Sequence, residues 1–178
     1  RFGDRLDDDL VRRDFTVNTL LENLHTGEAL DLTGKAMADL KARTIRTPAD
    51  PVATFQDDPL RMLRAVRFAA KLNFRIAPAV WKAILRCGDR LEIISRERIR
   101  DELSKTLLIS RVCGGPEQDS ATGATCGLEM LRESGLLVRF APELTVMYGV
   151  TQNIYHIYDV WTHTMKALDH LPEDADLI

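Results

Sequence analysis

The chain has 178 residues, 45% of them hydrophobic and 29% charged, with a formal net charge of −3. That length suits one medium domain or two small ones, and the apolar share excludes wholesale disorder. A pI near 5.8 excludes a protein that simply coats nucleic acid, though not a local basic site. No apolar run reaches the roughly 18–20 residues that a membrane span needs. Cys87, Cys113 and Cys126 are odd in number and lack CxxC spacing. A reducing cytoplasm is therefore expected rather than a disulfide framework or a cysteine zinc site.

Residues 8–24 are expected to be helical, with polar DDDLVRRD leading into FTVNTLLENL. His25 to Glu28 form a turn. Short strands are expected over 29–32 and 43–46, flanking a helical stretch at 35–41. Thr47-Pro48-Ala49-Asp50-Pro51 breaks the chain. Helices are expected over 58–73, 78–94, 96–111, 126–138 and 157–170. Residues 113–127 (CGGPEQDSATGATCG) are rich in Gly, Ser and Thr and read as a loop. The fold class is thus mainly α with a small α/β N-terminal part.

The best-defined element is helix 58–73. Asp58 suits the N-cap and Pro59 the first helical position. At 100° per residue, Arg61, Arg64, Arg67, Lys71 and Arg75 fall within an arc of roughly 120°. Met62, Leu63, Ala65, Val66, Ala69, Ala70 and Leu72 fill the other side. Residues 61–75 hold five cations and no acid. Such a row is either a solvated face or a phosphate-binding face. Four of the five are Arg, which suits bidentate phosphate recognition better than Lys does, and a solvated helix usually mixes signs.

Asp58 and Arg61 are three residues apart and share a helix face. A carboxylate beside a guanidinium offers an acceptor next to donors. That pattern complements the edge of cytosine, with its amino group beside N3, and of adenine, with its amino group beside N1. Uracil and guanine place a carbonyl where C and A carry the amino group. The pair would select C and A over U and G. The plainer alternative is a capping Asp with a surface ion pair. A second constellation lies at Arg12-Arg13-Asp14 and Asn18. Arg13 suits a phosphate or hydroxyl, and Asp14 could accept from a ribose hydroxyl. The alternative there is a helix start with local ion pairing.

DLVRRDFTVNTL, DLTGKAMADL, DDPLRMLRAVRFAAKLNF and RERIRDELSK occur in that order. Together they resemble the class II tRNA nucleotidyltransferases, the CCA-adding enzymes, and the related bacterial poly(A) polymerases, across residues 6–111. The second motif departs from the family pattern: Leu32 replaces Pro, Lys35 replaces the second Gly, and Asp39 lies one residue later. The tail GLEMLRESGLL and QNIYHIYDVWTHTMKAL resembles family members that continue into an HD-type phosphohydrolase domain.

The resemblance implies the end of a nucleotidyltransferase head at 1–50 and a helical neck at 51–112 that reads nucleotide and binds RNA. A helical body at 113–150 and the truncated start of an HD-like domain at 151–178 would follow. It implies that Arg13 and Asp14 hold the triphosphate and ribose hydroxyl of the incoming nucleotide, supported by Asn18. Asp58 and Arg61 would read the base, Arg64 and Arg67 would bind triphosphate, and residues 96–105 would brace their helix. ATP and CTP are the implied substrates, the tRNA 3′ end the implied partner, and Mg²⁺ the implied cofactor. The metal-binding carboxylates of the family precede the segment present here, so no catalytic residue is assigned and the chain alone is expected to be inactive. Asp7, Asp8 and Asp9 read as helix-start acids. His163 matches the first ligand of an incomplete HD site; His156, seven residues earlier, would share its face, but two ligands do not make a metal site. The alternatives are a poly(A) polymerase fragment and a non-catalytic helical module that binds RNA or nucleotide.

Overall fold

The computed structural model describes residues 9–10, 12–110, 112–113, 121–151, 153 and 155–171. Asp7 and Asp8, and the centre of the 113–127 loop, lie outside the described residues. The N-terminal stretch does not form the helix expected over 8–24. The chain turns after Leu10, makes one 3₁₀ turn at Thr16–Asn18, and enters β1 (Leu21–Glu22), paired antiparallel with β2 (Ala29–Leu30). Competing hydrogen bonds explain this. Asp14 accepts from the Phe15 amide at 2.8 Å, and the Thr16 hydroxyl donates to Asp39 at 2.7 Å. The Thr16 amide donates to the Arg46 carbonyl at 2.8 Å. Side-chain bonds of this kind draw Asp and Thr out of helices, and β-branched Thr16, Val17 and Thr19 lower helix propensity further.

Helix α1 (Ala36–Lys41) and strand β3 (Thr44–Ile45) follow. The two strands expected around α1 are shorter than anticipated and do not pair with each other. Instead β3 runs parallel to β4 (Arg75–Ile76), with Thr44 opposite Arg75 and Ile45 opposite Ile76. A parallel pair needs a crossover, and two helices supply it: α2 (Pro51–Asp57) and α3 (Leu60–Leu72). Helix α2 starts within the segment expected to be a simple break. Asp50 caps it by accepting from the Ala53 amide at 2.8 Å, and Pro51 takes the first helical position.

Helix α3 starts two residues later than expected. Asp58 lies at the α2–α3 junction with extended backbone, yet its Oδ1 accepts from the Leu60 amide at 3.2 Å. At the other end Asn73 adopts left-handed φ of 53°, and the Phe74 amide closes onto the Ala69 carbonyl at 2.9 Å. This is the geometry that lets Asn end a helix. The expected face is buried: Met62, Ala65 and Val66 have no exposed surface.

Helix α4 (Pro78–Cys87) gives way to a 3₁₀ segment at Gly88–Ile93, so the helix expected over 78–94 changes character in its last third. Ser95 caps α5 (Arg96–Leu107). Strands β5 (Val112–Cys113) and β6 (Ala121–Thr122) pair antiparallel at the edges of the expected loop. Helix α6 (Gly123–Glu133) begins earlier than expected, because Thr122 caps it by accepting from the Thr125 amide. Short helices α7 (Leu137–Phe140) and α8 (Pro142–Thr145) precede α9 (Val160–Asp169), capped by Asp159. Phe15, Ile45 and Phe55 from the first part join Ile84, Leu136, Leu137 and Trp161 in one hydrophobic core around α3. Cys87 is buried, while Cys126 is half-buried rather than buried as a small core residue would be. Among the described residues no helix is long and apolar enough to cross a membrane.

Helices α3, α5 and α6 pack against one another. They come close together at Gly127, where an added Cβ would lie 2.5 Å from the Thr106 Cγ2 methyl and 3.6 Å from Ala70 Cβ. Thr106 cannot swing aside freely, since it is buried and its hydroxyl donates to the Glu102 carbonyl at 2.8 Å. Gly127→Ala should therefore cost about 1–3 kcal/mol of unfolding free energy through overpacking. Thr106→Ser in that background should recover part of the loss by removing the offending methyl. Urea unfolding checks this; a Gly127→Ala protein as stable as the parent would contradict the close approach.

Candidate functional site

The segment Arg12–Asp14 and the start of α3 meet across a cleft of about 310 Å³. Arg12, Arg13, Asp14, Asp58, Leu60, Arg61, Arg64 and Arg98 line it. Five of the seven residues singled out in the sequence thus come together, although they lie in two segments more than forty positions apart. Asn18 and Arg67 stand behind the wall rather than in it. The lining sets five arginines against two aspartates, so the cleft favours an anion.

Asp14 is the hinge of the arrangement. Its Oδ1 accepts from the Phe15 amide at 2.8 Å and from Asn18 Nδ2 at 2.9 Å. Its Oδ2 accepts from Arg64 Nε at 2.8 Å and Nη2 at 2.5 Å. An ionised carboxylate has about four acceptor positions, so Asp14 is filled by protein donors. Burial acts to raise its pKa, but the bonds from Asn18, Arg64 and the Phe15 amide outweigh it and hold the carboxyl below its ordinary value of 3.8. Arg13 Nη1 donates to the Asn18 carbonyl at 2.8 Å and Nη2 to Asp9 at 3.3 Å. The loop is thereby closed on itself and presents its arginines to the cleft.

The cationic row on α3 is not free of carboxylates, contrary to what its own sequence suggests. The acids come from elsewhere in the chain. Arg64 pairs with Asp14, and its Nη1 lies 4.0 Å from Glu102 on α5. Arg67 Nε donates to Glu102 Oε2 at 2.7 Å. The Arg67 side chain is only 11% exposed, with its guanidinium carbon 4.4 Å from the Phe68 ring centroid. Phe68 in turn meets Phe15 edge-on at 5.8 Å. Arg67 therefore braces α3 against α5, whereas Arg64 keeps one side toward the cleft. The role expected of residues 96–105 as a brace has its physical basis in Glu102.

Asp58 and Arg61 do not pair with each other among the bonds observed. Arg61 Nη2 donates to the Arg12 carbonyl at 2.7 Å. Asp58 takes Arg98 Nη2 at 3.2 and 3.4 Å. The simple i,i+3 ion pair is thus replaced by two separate anchors, one from the loop and one from α5. Arg12, Arg98 and Glu102 are the site residues that sequence reasoning left unassigned. Arg98 and Glu102 are four apart on α5, a spacing that reads as an ordinary surface pair. Asp39, the displaced acid of the second motif, is buried and takes Thr16 and Arg46 at 2.7 and 3.0 Å. It steadies the loop from behind.

His156 lies in non-helical chain before α9, so it does not share a helix face with His163, although the two rings meet edge-on with centroids 6.0 Å apart. Among the described residues no group of three or more His, Cys, Asp or Glu side chains is placed to hold a metal ion.

A family model described as the poly A polymerase head domain matches residues 1–46. A second, described as a probable RNA- and SrmB-binding site of polymerase A, matches residues 73–112. The chain is 41% identical over 102 residues to the tRNA nucleotidyltransferase cca2 of Schizosaccharomyces pombe, covering 56% of this chain and 21% of that protein. It is 36% identical over 174 residues to the multifunctional CCA protein of Ralstonia nicotianae, covering 92% of this chain and 37% of that one. The CCA-adding enzyme of Bacillus stearothermophilus, solved in complex with CTP, superposes with a TM-score of 0.69 at 32% identity, over 83% of this chain and 34% of that one. The chain belongs to the class II tRNA nucleotidyltransferase and poly(A) polymerase family. It spans well under half the length of these relatives.

The lowered pKa of Asp14 carries a sign. A carboxyl depressed in the folded state contributes stability above its unfolded pKa, and that stability is lost as pH falls through the folded value. The loss attributable to Asp14 should begin near pH 3.8 and continue below it. Asp14→Asn should be less stable than the parent at neutral pH but lose less on acidification. Urea midpoints at pH 7 and pH 3 test this, and parallel losses in the two proteins would refute it.

Proposed function

We propose that this chain forms the nucleotide-reading part of a template-independent RNA nucleotidyltransferase that adds C, A or both to the 3′ end of tRNA. The observation that carries the reading is the cleft. It joins an arginine cluster suited to a triphosphate with a carboxylate–guanidinium pair suited to an amino-bearing base edge. The CTP complex of the B. stearothermophilus enzyme and the tRNA activity named for the S. pombe relative support the substrate and the partner.

In this reading Arg13 and Arg64 turn the N–H groups left over from their protein partners toward the triphosphate. Asp14 keeps Arg64 aimed, and Asn18 keeps Asp14 aimed. Asp58 accepts from the amino group of cytosine or adenine while Arg61 donates to the adjacent ring nitrogen. Arg67 serves the same phosphate face indirectly, through Glu102. Protein side chains, rather than a nucleic-acid template, then choose the base. ATP and CTP are the substrates, and the helical stretch after α3 meets the tRNA.

Binding of CTP, ATP, UTP and GTP to the chain, measured by calorimetry, tests the reading. CTP and ATP should bind more tightly than UTP and GTP by about 1–3 kcal/mol, the usual worth of a good base-edge pair. Asp58→Ala should erase that difference and leave inorganic tripolyphosphate binding intact. A uniform loss for all four nucleotides would refute base reading by Asp58. Preference for ATP over CTP by a similar margin would favour the poly(A) polymerase branch.

A further inference from the structure

Asp58 and Arg61 are placed to neutralise each other. They are three apart on one helix start, the spacing at which Asp and Arg commonly pair. A closed pair would satisfy itself and offer little to a base. The structure keeps the two apart. Arg61 is drawn to the Arg12 carbonyl at 2.7 Å. Asp58 is held instead by Arg98, whose Nη2 sits 3.2 Å from Oδ2 and 3.4 Å from Oδ1. The Leu60 amide donates to Oδ1 as well, at 3.2 Å. The plane of the carboxylate is thereby set by donors from α3 and α5 together.

Arg98 lines the cleft, and its side chain is 51% exposed. Its neighbour Arg100, also on α5, pairs with Asp101 and is not among the lining residues. The helix carrying Arg98 is fixed one turn further on by buried Glu102, bonded to Arg67. The backbone that carries Arg98 is therefore anchored to the core.

We infer that Arg98 is a specificity-determining positioning residue: by holding Asp58 it stops the reading pair from closing on itself, so that acceptor and donor face the base separately. The inference rests on the base-reading role given to Asp58 and Arg61. Removal of Arg98 releases the carboxylate toward Arg61 and costs discrimination between bases. It costs less in the grip on triphosphate, which Arg13 and Arg64 retain.

The test is the ratio of CTP to UTP affinity, an internal comparison that partial unfolding does not shift because it weakens both nucleotides alike. In the parent chain CTP should be favoured roughly tenfold or more. Arg98→Ala should bring the ratio close to one, and Arg98→Lys, which keeps a cation there, should restore part of it. In the Asp58→Ala background, adding Arg98→Ala should leave the ratio unchanged, because the partner it positions is gone. If Arg98→Ala weakens CTP and UTP equally and keeps the ratio, Arg98 is a phosphate-side charge and the inference is overturned while base reading stands. If the parent itself shows no preference, base reading fails and the role of Arg98 falls with it.

Discussion

A single buried carboxylate organises this region of the protein. Glu102 is 3% exposed, and it lies where α5 packs against α3. Removing a charge from water costs several kcal/mol unless a close partner and further hydrogen bonds offset it. Arg67 supplies that partner at 2.7 Å, with Lys105 at 3.4 Å and Arg64 at 4.0 Å completing the surroundings. The position of Arg67 then fixes the rotation of α3 about its axis. That rotation decides which of the α3 arginines face inward to the brace and which face the cleft. Arg64 falls between the two, close to Glu102 on one side and bonded to Asp14 on the other.

From this anchor the cleft can be built outward. Asp14 reaches Arg64 only because the Arg12–Asp14 loop is turned, and the loop is turned because Thr16 bonds to Arg46 and Asp39 instead of extending a helix. Phe15 is driven into the core beside Phe68, which places the loop against the same helix face. The parallel β3–β4 pair closes the crossover that contains α2 and α3. The apolar core and the charged brace thus act on one geometry. Packing sets the distance between the segments, and the ion pairs set the directions of the guanidinium groups.

Much of the site was legible in the sequence because it rests on local spacing. The apolar stripe of α3, the arginine row and the Asp58-Arg61 spacing are all properties of one helix, and the buried face is the one expected. Motif order supplied the link between Arg13-Asp14 and that helix. The errors come from non-local partners. Residues 8–24 carry a plausible helical pattern, but Thr16 finds its hydrogen bonds thirty residues away. The α3 row is uncompensated within its own segment, and Asp14 and Glu102 reach it from distant positions. Strands expected over 29–32 and 43–46 are real in part, yet their partners, β1 and β4, could not be read from so few residues. Arg98 was hidden for the opposite reason: α5 is charged throughout, so nothing in its sequence separates a cleft residue from a solvated one.

The central claim is that Glu102 and Arg67 act as one coupled unit that holds α3 in place. A double-mutant cycle on Glu102→Gln and Arg67→Gln, read by urea unfolding, measures that coupling directly. Each single change leaves a buried charge without its partner and should cost about 3–5 kcal/mol. The double variant should be more stable than the sum of the two losses implies, with a coupling energy of about 0.5–3 kcal/mol. Strictly additive losses, or singles as stable as the parent, would contradict the account.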